Sequence, residues 1–196
     1  MEERTIWLFN TPSLFTIIMS LDKSRTIQMN EYCPAGNTHK NILEKIKKVN
    51  KMVKIWKREF QIEELNLVSK ESIVGNVGIE FLEKGKDFLS ATMPVDKRTK
   101  QPLGILHGGA SVVLAETLGS TASYMTLEDP YYSVGLEIKA NHLKNAVKGV
   151  VKGVAKPVHL GKTTQVWDIS ITNEKNELVC VSRLTMLILK PAKDKG

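Results

Sequence analysis

The chain has 196 residues, 42% of them apolar, and a formal net charge of +7. The apolar share supports a packed core and argues against disorder throughout, and the length fits one domain with added sequence or two small domains. The basic balance admits nucleic acid, a membrane surface or an anionic small molecule as partner, while two cysteines, Cys33 and Cys180, exclude a disulfide framework and indicate a reducing, cytoplasmic setting.

Residues 1–51 alternate between apolar scraps and polar turns such as Tyr32-Cys33-Pro34-Ala35-Gly36-Asn37. The start reads MEERTIWLFNTPSLFTIIMS. Its first charges are Glu2 and Glu3, Asn-Thr-Pro-Ser interrupts the apolar run, and no Ala-x-Ala-like site follows, which argues against a secretory signal. No run reaches the roughly 18 apolar residues that a membrane helix needs. Lys40 to Lys57 reads as a basic amphipathic helix with Ile42, Ile46, Val49 and Val53 on one stripe. Its lysines read as a solvated face. Without interleaved aromatics or a nucleic-acid motif they do not point to nucleic acid or a membrane.

From Met52 the pattern becomes regular. Ile62 to Val68 predicts a short helix. Ile73–Glu83 and Phe88–Val95 predict two strands around the turn Gly85-Lys86-Asp87. After a polar loop, Asp96–Pro102, a helix runs from about His107 to Leu127 and stops at Asp129-Pro130. Four strand-like runs follow: Ser133–Lys144, Gly149–His159, Thr163–Thr172 and Leu178–Lys190. Short turns separate them, so consecutive strands are expected to be antiparallel. One apolar helix is left to cover one face of the sheet, and an α+β domain follows.

The helix entry, QPLGILHGGASVVLAETLGS over residues 101–120, carries the candidate chemistry. Val112, Val113, Leu114, Ala115 and Leu118 leave almost no solvent face, yet Glu116 sits among them. Either Glu116 lies on an exposed stripe with Ser120 one turn later, or it is a carboxylate in a partly dry cleft, its pKa raised towards that of a general base. Gly108 and Gly109 stand where backbone N–H groups have no intrahelical acceptor and where the helix dipole is positive. They suit either a tight packed turn or the polarisation of a carbonyl oxygen. His107 and Gln101 add an imidazole and an amide, each of which also has an ordinary capping or loop reading. No serine or cysteine sits in a nucleophile elbow and no Cys/His spacing suggests zinc, so metal-free hydrolysis of an activated acyl group is the chemistry that fits.

The pattern QPxGxxHGGASxxLAETLGS resembles the signature of hotdog-fold acyl-CoA thioesterases of the PaaI-like subgroup, which act on aromatic acyl-CoA thioesters. Within it the likeness is to the branch that hydrolyses 1,4-dihydroxy-2-naphthoyl-CoA in menaquinone synthesis and to the proofreading thioesterases of enterobactin synthesis. It covers about Met52 to Lys190, including ATMPVDKRTKQP, KANHLKNA and HLGKTTQVWDI. The resemblance implies an antiparallel sheet of about six strands wrapped around one long central helix, over 52–196. Residues 1–51 are then expected to be an extension, disordered or translated from an upstream start that is not the one used. By matching position, Glu116 is the carboxylate that activates water or attacks the thioester. The Gly108 N–H polarises the carbonyl, Gln101 and His107 hold the thioester and help the thiolate leave, and Thr117 and Ser120 orient Glu116 or water. Gly135 borders the acyl pocket, and His142 lines the site from the neighbouring strand. His142, Leu143, Lys144 and Asn145, with His159, Gly161, Lys162 and Thr163, match the regions that grip CoA, and Lys144 and Lys162 suit its phosphates or are solvated strand-end lysines. His159 reads equally as a structural turn residue, and His39 lies outside the resemblance. No metal and no cofactor are implied, CoA being part of the substrate. Two chains are expected to pair through one continuous sheet with sites at their interface, and two such dimers to form a tetramer. Other thioester specificities (4-hydroxybenzoyl-, phenylacetyl- or misloaded carrier-protein thioesters), a non-catalytic acyl-CoA sensor, a dehydratase and a basic nucleic-acid binder are the competing readings.

Overall fold

The computed structural model describes residues 4–8, 15–21, 27–29 and 55–191. The chain divides into two compact units, Met1–Lys47 and Lys48–Gly196. In the first, β1 (Arg4–Leu8), β2 (Phe15–Leu21) and β3 (Ile27–Met29) form an antiparallel sheet in that order. Cys33, His39 and most of the expected basic helix, residues 40–54, lie outside the described residues. Its last three positions, Ile55–Lys57, are not helical.

The second unit runs α1 (Ile62–Ser69), α2 (Ile73–Asn76), β4 (Glu80–Lys84), β5 (Leu89–Pro94), α3 (Gly108–Met125), β6 (Tyr132–His142), β7 (Val150–Leu160), β8 (Thr164–Asn173) and β9 (Leu178–Leu189). The six strands pair antiparallel in the order β4-β5-β7-β8-β9-β6. Six strands and one long helix are the α+β arrangement expected. One expectation fails: the predicted strand Ile73–Glu83 opens as the single helical turn α2, and only Glu80–Lys84 joins the sheet. The cause is local. Ser72 Oγ accepts from the Val74 N–H at 3.2 Å, a cap that outweighs the strand-like alternation of Ile73, Val77 and Ile79.

Period 2 shows plainly in β8, where Gln165, Trp167, Ile169 and Ile171 are buried and their neighbours are not. Trp167, Ile169 and Ile171 meet Leu114, Ala115, Leu118 and Ala122 of α3 in one core with Leu184 and Met186. Close approach depends on two glycines. A Cβ at Gly119 would stand 2.5 Å from Leu184 Cδ2, and one at Gly153 2.6 Å from Leu118 Cδ1. Each fully buried large aliphatic side chain here contributes about 1.5–3 kcal/mol. At the end of the helix the N–H groups of Lys57 and Arg58 donate to Met125 O at 2.9 and 3.2 Å, satisfying a terminal carbonyl.

Candidate active site

α3 begins at Gly108 because His107 caps it: the Gly109 N–H donates to His107 Nδ1 at 2.8 Å. With Nδ1 accepting, a neutral imidazole carries its proton on Nε2, ready to donate. The approach to this cap is pinned by His107 N–H to Thr99 O at 2.8 Å and Leu106 N–H to Ala146 O at 2.7 Å. Gln101 stands in a tight turn, its N–H donating to Ile105 O at 2.9 Å, and Gly104 there adopts φ of 77°. As the first helical residue, Gly108 has an N–H with no intrahelical acceptor. Its missing Cβ makes room for the ring from β6, since a Cβ would stand 2.8 Å from His142 Nε2. Gln101, Gly108, Ser111, His142, Lys144 and Asn145 thus line a hollow of about 150 Å³.

Glu116 belongs to a different hollow, of about 320 Å³, with Ile73, Val113, Thr117 and Ser120. The helix is not buried all round: Glu116 and Tyr124 are exposed, and Val113, Thr117 and Ser120 on the same stripe are half-buried. Within this chain Glu116 thus lies on an exposed stripe with Ser120 one turn later, and not in a dry cleft. The Glu116 carboxylate leans over β6, where a Cβ at Gly135 would stand 2.9 Å from Oε1. Gly135 meets the carboxylate itself, which is more specific than the expected border of an acyl pocket. The Ser120 hydroxyl donates to Met186 Sδ at 3.8 Å, not to Glu116. Eight residues separate Gly108 from Glu116, about 12 Å along the helix axis.

A bulge keeps β6 in phase with both hollows. Ser133 faces the helix, its Oγ accepting from Ser123 Oγ–H at 2.9 Å, and Gly135 faces Glu116. The register then shifts by one residue between Gly135 and Glu137, after which Ile138 and Ala140 pack on the core and His142 reaches Gly108. Without the extra residue Leu136, strict alternation would turn His142 to the other face.

The two expected CoA-gripping segments lie at opposite ends of the sheet. His142 pairs with Cys180 and Val151 with Asn173 at the end where α3 starts, whereas Thr164 pairs with Leu187 and Tyr132 with Leu189 at the other. β7 spans eleven residues between them, about 35 Å. At the near end Leu143 and Asn145 are exposed, and Lys144 is ion-paired with Glu177. Lys144, and then Asn173, hold the Glu177 carboxyl below its ordinary range. At the far end the turn closes through Gly161 N–H to Thr164 O at 3.0 Å and Ile188 N–H to Thr163 O at 2.8 Å. The His159 ring lies against Gly161, where a Cβ would be 2.5 Å from Nε2, and Lys162 and Thr163 project into solvent. Within one chain, His159, Gly161, Lys162 and Thr163 do not join the hollow of Gln101 and Gly108.

Seven lining residues are not among the sequence candidates: Ile105, Leu106, Ala146 and Val179 supply apolar wall to the smaller hollow, and Ser111, Val113 and Ile73 complete the set. Ser111, one turn after Gly108, carried a usable signal in its helical spacing. Val113 read only as core, and Ile73 was assigned to a strand. Among the described residues no group of three or more His, Cys, Asp or Glu is placed to hold a metal ion, and no helix is long and apolar enough to cross a membrane.

Comparison with known proteins agrees with this fold. Residues 103–180 match the family model for the thioesterase superfamily. Over 135 residues the chain is 56% identical to 1,4-dihydroxy-2-naphthoyl-CoA hydrolase of Escherichia coli, covering 69% of this chain and 99% of that one. It is 49% identical to a proofreading thioesterase of Cronobacter turicensis, covering 69% and 98%. A crystal structure of a Haemophilus influenzae thioesterase superposes with a TM-score of 0.70 at 47% identity, covering 72% of this chain and 99% of that one.

Proposed function

The chain belongs to the thioesterase superfamily as a hotdog-fold acyl-CoA thioester hydrolase, and from that premise we propose that its substrate is an aromatic acyl-CoA, 1,4-dihydroxy-2-naphthoyl-CoA, in menaquinone biosynthesis. What supports the substrate is the likeness to the Escherichia coli hydrolase of that name. A cytoplasmic setting belongs to the same proposal.

One observation carries the mechanism: Glu116 and Gly108 open into separate hollows, and Glu116 leans against a strand whose outer side has no neighbour among the described residues. A single hollow therefore holds either the polarising groups or the carboxylate. Two copies paired along β6 complete the site. In that pair the thioester oxygen lies at the Gly108 N–H, where negative charge develops as the carbonyl is attacked. The Gln101 amide and the His107 Nε2–H hold the thioester group. Glu116 of the second copy removes a proton from water, whose oxygen bonds to the carbonyl carbon. Alternatively its own oxygen attacks first and water hydrolyses the anhydride. Either path breaks the C–S bond, the His107 Nε2–H hydrogen-bonds the departing thiolate, and the proton that water gives up ends on the sulfur. One water is consumed, and the acid and CoA thiol are released. His142 walls the thioester, and Lys144 offers an ammonium to a CoA phosphate at the mouth of the smaller hollow. Homodimers, associating further into tetramers, are part of this reading.

Thiol release from 1,4-dihydroxy-2-naphthoyl-, benzoyl-, phenylacetyl- and palmitoyl-CoA tests it, with wild type beside Glu116→Gln. Fast release from an aromatic thioester is expected, falling about 10²–10⁴-fold in the variant. A Glu116→Gln protein that turns over normally would sink the mechanism, and preference for palmitoyl-CoA would sink the substrate.

A further inference from the structure

We infer that Ile73 is a specificity-determining residue: with Val113 it forms the apolar wall of the hollow beside Glu116, against which the ring of an aromatic acyl group packs. The inference rests on the proposed site and goes beyond it, because no step of the hydrolysis needs a branched aliphatic side chain there.

The placement of Ile73 follows from the turn that holds it. The Ser72 cap starts α2, and the Ile79 N–H donates to Val74 O at 2.9 Å, fastening the end of the turn to the chain entering β4. Val74 and Val77 pack against the core, so Ile73 faces outward, 57% exposed. Gly75 lets the turn fold tightly onto α1, since a Cβ there would stand 2.1 Å from Lys70 O. The backbone beneath Ile73 is thus fixed from three sides. A lone exposed isoleucine would be ordinary. This one lines a hollow whose other members are Val113, the Glu116 carboxylate and the Thr117 and Ser120 hydroxyls.

That lining has two chemical faces. Ile73 and Val113 offer aliphatic surface to a flat ring, while Thr117 and Ser120 can bond a polar ring substituent or the attacking water. The volume, about 320 Å³, sits at the lower end of ligand pockets, which run from about 300 to 1,000 Å³.

The test measures kcat/KM of the full chain and of Ile73→Val, Ile73→Ala and Ile73→Trp. Substrates are butanoyl-, benzoyl-, 1,4-dihydroxy-2-naphthoyl- and palmitoyl-CoA. Ile73→Ala is expected to lower kcat/KM for the aromatic thioesters about tenfold, while butanoyl-CoA, too short to reach the wall, is unchanged. Ile73→Val restores near-wild-type ratios. Ile73→Trp, filling the hollow, rejects the two-ring substrate more strongly than benzoyl-CoA. A parallel fall on every substrate would mark a merely structural role and overturn the inference, as would ratios that do not move. Either result with Glu116→Gln inactive leaves the thioesterase mechanism standing. A wild type that releases no thiol overturns both.

Discussion

At one edge of the sheet, β4 is only five residues long and bulged, and Asn66 of α1 bonds both ways to Phe81. Its Nδ2 donates to Phe81 O at 3.0 Å, and its Oδ1 accepts from the Phe81 N–H at 2.8 Å. One side-chain amide thus imitates a neighbouring strand. At the other edge, β6 runs eleven residues with no strand along its outer side among the described residues, and it exposes Val134 and Leu136. An open edge of that length and polarity is a template for pairing with another chain. The contrast teaches that the chain covers the edge at β4 with a side chain and leaves bare the edge beside Glu116.

The strongest way to break this contrast is to charge the open edge. The double variant Val134→Lys, Leu136→Lys places cations where the proposed pair would meet. We expect it to run as a monomer in light scattering, to keep its fold by circular dichroism, and to lose turnover about as completely as Glu116→Gln. Dimers with full activity would show that β6 is not the assembly edge.

The closed edge should respond in the opposite sense. Asn66→Ala removes two partly buried hydrogen bonds and leaves a backbone donor and acceptor of Phe81 unpaired. The expected cost is about 1–3 kcal/mol of stability, seen as a lower Tm, with activity per folded molecule unchanged. Loss of turnover without loss of stability would contradict the assignment of this edge to scaffolding.

Much of this was legible in the residues. The alternation in β8 and the apolar run from Val112 to Leu118 give the sheet and its helix, and the Gln101–Ser120 pattern gives the family. What was not legible is spatial. Gln101 and Glu116 look like neighbours in a short motif, but the helix that starts at Gly108 carries Glu116 about 12 Å further along its axis. The segments around His142 and His159 look equally suited to CoA, but the length of β7 holds them apart. Ile73 was hidden because apolar alternation cannot report a cap at Ser72. The bulge at Leu136 left no sequence mark, since any residue can be the extra one.

The smallest effect concerns the C-terminal end of β6, where the strand leads into Lys144. That lysine pairs with Glu177 on the turn before β9, and Asn173 Nδ2 donates to the same carboxylate at 2.8 Å. Both interactions favour the charged carboxylate, so its folded pKa lies below the ordinary 4.5. A depressed carboxyl pKa contributes stability that is fully present above the unfolded value and is lost as pH falls through the folded one. The pair is exposed, so the contribution is small. Comparing Tm of wild type and Glu177→Gln near neutral pH should show wild type slightly higher, and the gap should close as pH drops below about 4.5. Asn66 does not titrate, so the deficit of Asn66→Ala should persist through the same range. A gap for Glu177→Gln that is equally indifferent to acid would mean the residue acts by shaping its turn, through the Glu177 and Lys175 N–H groups held on Asn173 Oδ1, and not by holding the Lys144 charge.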